Sequence, residues 1–429
     1  MLPRPDGRPA LCRRFGLHDT VKMHLIPESA SRPGDPIYVL NAEATRRARA
    51  GESIVNATAG SLTEDDGRLA IMPTVFEALA AVPPERAAAY APIAGEPPFL
   101  EAVVRDLFGS GPLATRAVAA ATAGATGALH HAVVNFLEPG EALLTTDYRW
   151  GPYDTIAHHT GRRVETFRMF DAAGRFDGAA FEEALLDVAA RQRRVLVLLN
   201  TPCHNPTGYS LDDEDWQAVV RAVGRAAELV PVSLAIDLAY AHFGASEPRH
   251  WVPHAEALAG VALLLVAWTA SKTFALYGAR VGALVAVHPD ADERERIGRA
   301  LSYSCRATWT NCNHAGMLAV TALLEDERLR AGADRERERL RRLLGERVAA
   351  FNAAASHAGL RYPRYEGGFF VTVFTPDGEA TARRMRELGV YVVPAGRGVR
   401  VALCSTPVAR VPRLIDALIE GVRAAGSSA

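Results

Sequence analysis

The chain has 429 residues, 49% of them hydrophobic, and its 48 basic and 49 acidic side chains leave a formal net charge of -1. That length suits one large domain with a smaller companion and supplies ample material for a buried core. The charge balance excludes a global field for nucleic acid or an anionic membrane, so any ionic recognition must be local.

Five cysteines without CxxC spacing argue against a disulfide framework or a zinc site, and no metal site is expected. The longest purely apolar run, Val261 to Trp268, falls far short of the roughly 18 residues needed to span a bilayer. The N-terminus lacks an apolar signal core. A soluble cytoplasmic protein with no membrane partner is expected.

Residues 1–34 are rich in Pro, Arg and Gly without periodicity and read as an irregular N-terminal arm. Gly124-Ala-Thr-Gly-Ala-Leu opens a helix running to Phe136, and Pro139-Gly140 breaks it before the apolar run Ala142 to Leu144. Four more apolar runs follow: Val195 to Leu199, Val232 to Ile236, Val261 to Ala267, and Gly282 to Val287. Short, unalternated strands separated by helices imply a mostly parallel sheet covered on both faces, hence an α/β fold. Glu325 to Leu344 is dense in Arg and Glu four residues apart, the mark of a solvated helix face, and leads through Val348 to Ala355 into a smaller domain. There Gly368 to Phe374 and Val399 to Leu403 read as strands, and Val411 to Ala424 as a closing helix.

In an open parallel sheet, ligands gather outside the carboxyl ends of the strands. One strand leads into Asn200-Thr-Pro-Cys-His-Asn205-Pro-Thr-Gly208, the next into Asp237-Leu-Ala-Tyr240, and the third into Thr269-Ala-Ser-Lys272. A pyridine aldehyde needs that set: an amine to condense with it, an acid for the ring nitrogen, and donors to the phenolic oxygen. Gly124-Ala125-Thr126 at a helix start and Arg280, eight residues after Lys272, offer a phosphate site.

Lys272 stands out on other grounds. Only Lys22 and Lys272 are lysines among the 48 basic residues, and all others are arginine. A codon preference explains the bias but not the exemption of Lys272. Guanidinium stays protonated, whereas a lysine can lose its proton and attack a carbonyl, so Lys272 reads as chemically required. His204 and the pair His130-His131 read as packed structural histidines, and Cys203 and Cys404 as buried small hydrophobes.

The segment Thr269-Ala-Ser-Lys-Thr-Phe-Ala-Leu-Tyr-Gly-Ala-Arg280-Val-Gly resembles the lysine signature of the class I aminotransferases, pyridoxal-phosphate (PLP) enzymes of fold type I, and within them the aspartate/aromatic group. Further matching segments occur in order: Val55-Asn-Ala-Thr-Ala-Gly60, Asp65-Asp66-Gly67, Tyr90-Ala-Pro-Ile-Ala-Gly95, Gly124 to Leu129, Trp150, Asn205 to Gly208, Asp237 with Tyr240, and Arg306-Ala-Thr-Trp-Thr-Asn311. The resemblance spans about residues 35 to 425. It implies a large PLP-binding domain over 71–330, with a seven-stranded-type sheet. A smaller α/β domain would be built from 35–70 and 331–429.

It further implies that Lys272 is the Schiff-base amine and later the base for the α-proton, while Asp237 pairs with the pyridinium nitrogen. Tyr240 and Asn205 would hold the phenolate oxygen, and Trp150 would stack on the ring. Gly124, Ala125, Thr126, Thr269 and Arg280 would hold the phosphate, joined by Tyr90 from a second subunit of a homodimer with shared active sites. Arg400 would clamp the substrate α-carboxylate, although extra residues nearby leave Arg397 as a competitor. Arg306 falls where a partner arginine meets a distal carboxylate, which favours a dicarboxylic substrate without excluding an aromatic one.

Gly60, Asn205 and Trp150 would border the substrate, and a bulky Tyr38 could reshape that pocket. Tyr153 stands near Trp150 where a histidine is common. The implied reaction is ping-pong transfer of an amino group from an L-amino acid to a 2-oxo acid such as 2-oxoglutarate. The rivals are another PLP reaction, whether β-elimination, decarboxylation or oxidation, and more remotely a PLP-binding regulator.

Overall fold

The computed structural model of the protein describes residues 36–426, so the expected arm over 1–34 lies outside the described residues. After helix α1 (Pro36–Arg49) and the short strand β1 (Val55–Asn56), the chain lays down β2 (Ala117–Ala123), β3 (Ala142–Thr146), β4 (Arg163–Phe167), β5 (Val195–Asn200), β6 (Val232–Asp237), β7 (Leu263–Thr269) and β8 (Val281–Val287). These last seven form one sheet in the order β2-β8-β7-β6-β5-β3-β4. Strand β8 runs antiparallel to both β2 and β7, and every other neighbouring pair is parallel.

Burial explains why these runs become central strands. Every residue of β5 and of β8 is buried, so both faces must be apolar and no alternation can appear. Helices α2 (Gly124–Phe136) and α3 (Asp213–Ala227) lie between strands, followed by α4 (Val252–Leu258), the single turn α5 (Ala270–Thr273) and α6 (Ala291–Thr308).

Strand β7 begins two residues later than the apolar run. The amides of Val261 and Ala262 both donate to the Leu258 carbonyl at the end of α4, so they are unavailable to the sheet. The register of the central strands sets the site: Asn200 pairs with Asp237 across β5 and β6, and Asp237 with Ala267 across β6 and β7. Three strand ends of different chemistry thus stand side by side.

The charged stretch divides at Asp326: Glu325 ends the preceding helix, and the rest lies in one 31-residue helix, α7 (Glu327–His357). Beyond it come β9 (Phe370–Phe374), β10 (Val390–Tyr391), β11 (Val393–Pro394) and β12 (Gly398–Ala402), then helix α8 (Val411–Gly426). Strands β11, β12 and β9 form an antiparallel sheet, while β10 pairs in parallel with β1, joining early chain to late. Leu403 belongs to a following turn rather than to β12.

The same junction is held from beneath by Arg347, a fully buried arginine of α7. It donates to the carbonyls of Cys404 and Thr63, each at 2.7 Å, and to the Asp65 carboxylate at 2.8 Å. Among the described residues no helix is long and apolar enough to cross a membrane.

Arg347→Ala leaves buried carbonyls without donors and opens a cavity. The unfolding free energy should fall by about 3 kcal/mol, measured by denaturant titration. An unchanged midpoint would mean that this junction does not depend on the arginine.

Candidate active site

A cleft of about 80 Å³ opens at the carboxyl ends of β5, β6 and β7, lined by Trp150, Asn205, Asp237, Tyr240, Lys272 and Arg280 among others. A larger cavity, about 490 Å³, lies behind α5 against Thr273, Phe274 and Arg337. Neither Lys272 nor Asp237 lines that cavity, so size does not locate the chemistry.

Asp237 ends β6 with only 4% of its surface exposed. Burial raises its pKa, and three neighbours oppose the rise: the Tyr153 hydroxyl, the Ala239 amide and the charge of Lys272. Tyr153 donates to Oδ2 at 2.8 Å and Ala239 N to Oδ1 at 3.1 Å. The Asn200 side chain donates to the Asp237 carbonyl at 2.8 Å and accepts from the Asn205 amide at 2.6 Å, which fixes the β5 loop against β6.

Lys272 sits on α5, started by the Thr269 side chain, which accepts from the Ser271 amide. Its Nζ lies 4.9 Å from the centre of the Tyr277 ring and 5.7 Å from that of Tyr240. Burial is the main cause that lowers its pKa to about 8; Arg280 adds to the effect, while Cys404 and Asp237 oppose it. Such an amine is a usable nucleophile near neutral pH. Tyr240 is buried with its own pKa raised by burial, and its hydroxyl has no hydrogen-bond partner among the described residues.

The anion end of the cleft is backbone-made. Gly124 begins α2 at φ +68°, and a Cβ there would lie 2.6 Å from Nη2 of Arg280, so only glycine admits the guanidinium. Arg280 is held by the Ser271 hydroxyl at 3.2 Å and by the carbonyls of Tyr277 and Ala123 at 2.9 and 3.3 Å. Ala125 and Thr126 line the cleft in the first turn of α2, where free N–H groups favour an anion.

Beside the cleft, Arg400 of β12 is 5% exposed. It donates to the Thr58 carbonyl at 2.7 Å and to Asn205 Oδ1 at 3.4 Å, and its guanidinium lies 4.3 Å from the centre of the Phe370 ring. Gly60 packs against the same ring: a Cβ there would sit 3.0 Å from Phe370 Cζ. Arg397 is exposed in the preceding turn, whereas Arg400 is buried and reaches the cleft residue Asn205.

Three expected residues are not brought into this cleft. Tyr38 is 75% exposed on α1 and does not line the cleft. Tyr90 is 89% exposed, and Arg306 lies exposed near the end of α6. The loop carrying Tyr90 is nevertheless anchored, because His314 contacts the Ala89 carbonyl at 2.8 Å and the Glu96 carboxylate at 2.9 Å.

Sequence reasoning gave no site role to Tyr153, Ser271, Tyr277 or Asn200. A phenol that meets a cleft aspartate from 84 residues away leaves no spacing signal, although the departure from histidine at 153 is visible. His204 is a packed loop histidine between Thr207 and Thr146, and His131 stacks on Trp309 with ring centroids 4.5 Å apart.

The donor set fits PLP: a depressed-pKa lysine, a buried carboxylate, an unpartnered phenol and an arginine-backed helix start converge on one cleft. Comparison with known proteins agrees. Residues 52–418 match the family model for aminotransferase class I and II, and the chain belongs to that family, whose members are PLP-dependent transaminases. The aromatic-amino-acid aminotransferase of Escherichia coli is 31% identical over 90% of this chain and 98% of its own length.

The aspartate aminotransferase of Pseudomonas aeruginosa is 29% identical, with coverages of 92% and 99%. In three dimensions, an aminotransferase from Anaerococcus prevotii superposes with TM-score 0.88 at 29% identity, covering 93% of this chain and 100% of its own. The aromatic-amino-acid aminotransferase of Burkholderia pseudomallei, covalently bound to pyridoxal phosphate, gives 0.78 at 26% identity, with coverages of 93% and 100%.

Tyr153→Phe removes a donor that opposes the upward shift of Asp237. The carboxylate then protonates at higher pH, so the acidic limb of the activity profile should move to higher pH. Loss of a buried hydrogen bond to a charged group should also lower kcat/KM at neutral pH by roughly tenfold or more. A pH profile superimposable on that of the native enzyme would remove Tyr153 from this role.

Proposed function

We propose that the protein transfers the amino group of a dicarboxylic or aromatic L-amino acid to a 2-oxo acid such as 2-oxoglutarate by a ping-pong mechanism. The observation that carries this reading is the convergence of Lys272, Asp237, Tyr240 and Arg280 on one cleft, with Arg400 reaching its Asn205 wall. When bound, PLP supplies an aldehyde that condenses with amines and a ring that accepts the electron pair released at the substrate α-carbon.

The chain's own groups do the rest. Lys272 would hold the cofactor through Nζ, and the same nitrogen, when free, is the base that would take the α-proton and return it to the neighbouring carbon. Asp237, which accepts from Tyr153 and Ala239, would hold a proton on the pyridine nitrogen. Tyr240 and Asn205 would hydrogen-bond the phenolic oxygen, and Trp150 would cover the ring. Gly124, Ala125, Thr126, Thr269 and Arg280 would hold the phosphate. Arg400 grips the substrate α-carboxylate with its planar fork, which fixes the Cα–H bond relative to Lys272.

We further propose a homodimer in which Tyr90 and Arg306 of a second copy complete each cleft. Their exposure, together with that of Tyr303 at 78%, supports this assignment. The smaller lobe would comprise 35–70 and 331–429, a division supported by the β1–β10 pairing. A cytoplasmic site of action is supported by Cys203, Cys305, Cys312 and Cys404, all free and buried.

A half-reaction screen tests substrate choice: each amino acid is mixed with the PLP form, and the loss of cofactor absorbance and the oxo acid formed are followed. Acidic or aromatic amino acids should react and yield their oxo acids with stoichiometric glutamate on adding 2-oxoglutarate. Release of ammonia or carbon dioxide instead would contradict transfer. Arg400→Ala should lower kcat/KM by roughly 100-fold or more, mainly through KM, whereas Arg397→Ala should leave it within about twofold.

A further inference from the structure

Away from the cofactor cleft, Asp213, His250 and His254 form the one constellation among the described residues with the composition of a metal site. His254 lies within α4 and His250 just before it, four residues apart, so both rings project from one turn. Asp213 faces them from the first turn of α3. His254 Nε2 lies 2.8 Å and His250 Nε2 3.3 Å from the same oxygen, Asp213 Oδ1. All three candidate ligand atoms fall within 4.8 Å of one another. Ligands about 2.0–2.1 Å from a tetrahedral zinc ion stand roughly 3.3 Å apart, so small side-chain shifts would admit an ion among them.

The geometry is held in advance. His254 stacks on Trp216 of α3, with ring planes 6° apart and centroids separated by 5.8 Å, and Trp216 is buried at 1% exposure. The His250 ring meets that of His254 edge-on, at 67° and 6.0 Å. Asp213 is not needed to start its helix, because Asp212 caps α3 and forms a reciprocal capping box with Asp215.

Nor is Asp213 claimed by an arginine. Arg175 pairs with Glu214 at 2.9 Å and Arg364 with Asp212 at 2.8 Å, while among the described residues Asp213 forms ion pairs with the two histidines alone. Two imidazoles and one carboxylate suit a borderline dication, whereas Mg²⁺ and Ca²⁺ prefer all-oxygen sites.

We propose that Asp213, His250 and His254 bind Zn²⁺, with water in the fourth position. The ion would tie the chain leaving the Asp237–Tyr240 strand end to the start of α3. The site uses no cysteine, which is why cysteine spacing carried no sign of it.

Equilibrium dialysis of the full-length, PLP-loaded, metal-stripped enzyme against Zn²⁺ in the absence of amino acids, with metal content read by mass spectrometry, tests this directly. The native chain should retain about one Zn²⁺, and its melting temperature should rise with added zinc. His250→Ala and His254→Ala should each weaken binding at least about tenfold and abolish the melting shift, with transaminase activity in metal-free buffer unchanged. His250→Ala guards against a folding artefact, since its ring is the more exposed of the two. Zinc retained equally by both variants, or no retention by the native chain at tens of micromolar, would overturn the assignment.

Discussion

A carboxylate is accommodated inside a protein only where donors and positive charge replace the water it has lost. Asp237 is that carboxylate, and much of the cleft is arranged around it. Tyr153 and the Ala239 amide donate to its two oxygens, Asn200 secures its backbone, and Lys272 supplies charge. The parallel register of β5, β6 and β7 makes this possible, because it sets Asn200, Asp237 and Ala267 abreast at one edge. A slip of one residue would turn each of these side chains to the other face of the sheet.

The same burial acts with opposite sign on the two reacting partners. It pushes the Asp237 acid up and the Lys272 ammonium down to about 8. Both shifts have one physical cause, since a desolvated site disfavours whichever form carries charge. Arg280 sharpens the contrast by lowering Lys272 further from the phosphate side. The close approach of Gly124 to that guanidinium, and of Gly282 to the Gly124 backbone, is the steric condition for it: a Cβ at Gly282 would lie 2.7 Å from Gly124 Cα.

Much of this was legible in the sequence, for physical reasons. Central strands covered on both faces must be largely apolar, so β5 and β8 appear as nearly continuous apolar runs. Lys272 was conspicuous because arginine cannot replace a nucleophilic amine, and the strand-end segments carrying Asn205, Asp237 and Thr269 were short enough to read. Contacts made across space were not. Tyr153 reaches Asp237 from another helix, Arg347 joins Thr63, Asp65 and Cys404 from far along the chain, and Ser271 matters through Arg280.

The start of β7 was misplaced because the Leu258 carbonyl captures two amides that hydrophobicity alone would assign to the strand.

Covalent capture of the cofactor is the most direct measurement. Reduction of the PLP-loaded enzyme with borohydride, followed by digestion and mass analysis, should add the mass of a pyridoxyl phosphate group to the peptide containing Lys272 and to no other. An unmodified Lys272 peptide, or the adduct on a different amine, would contradict the account at its centre.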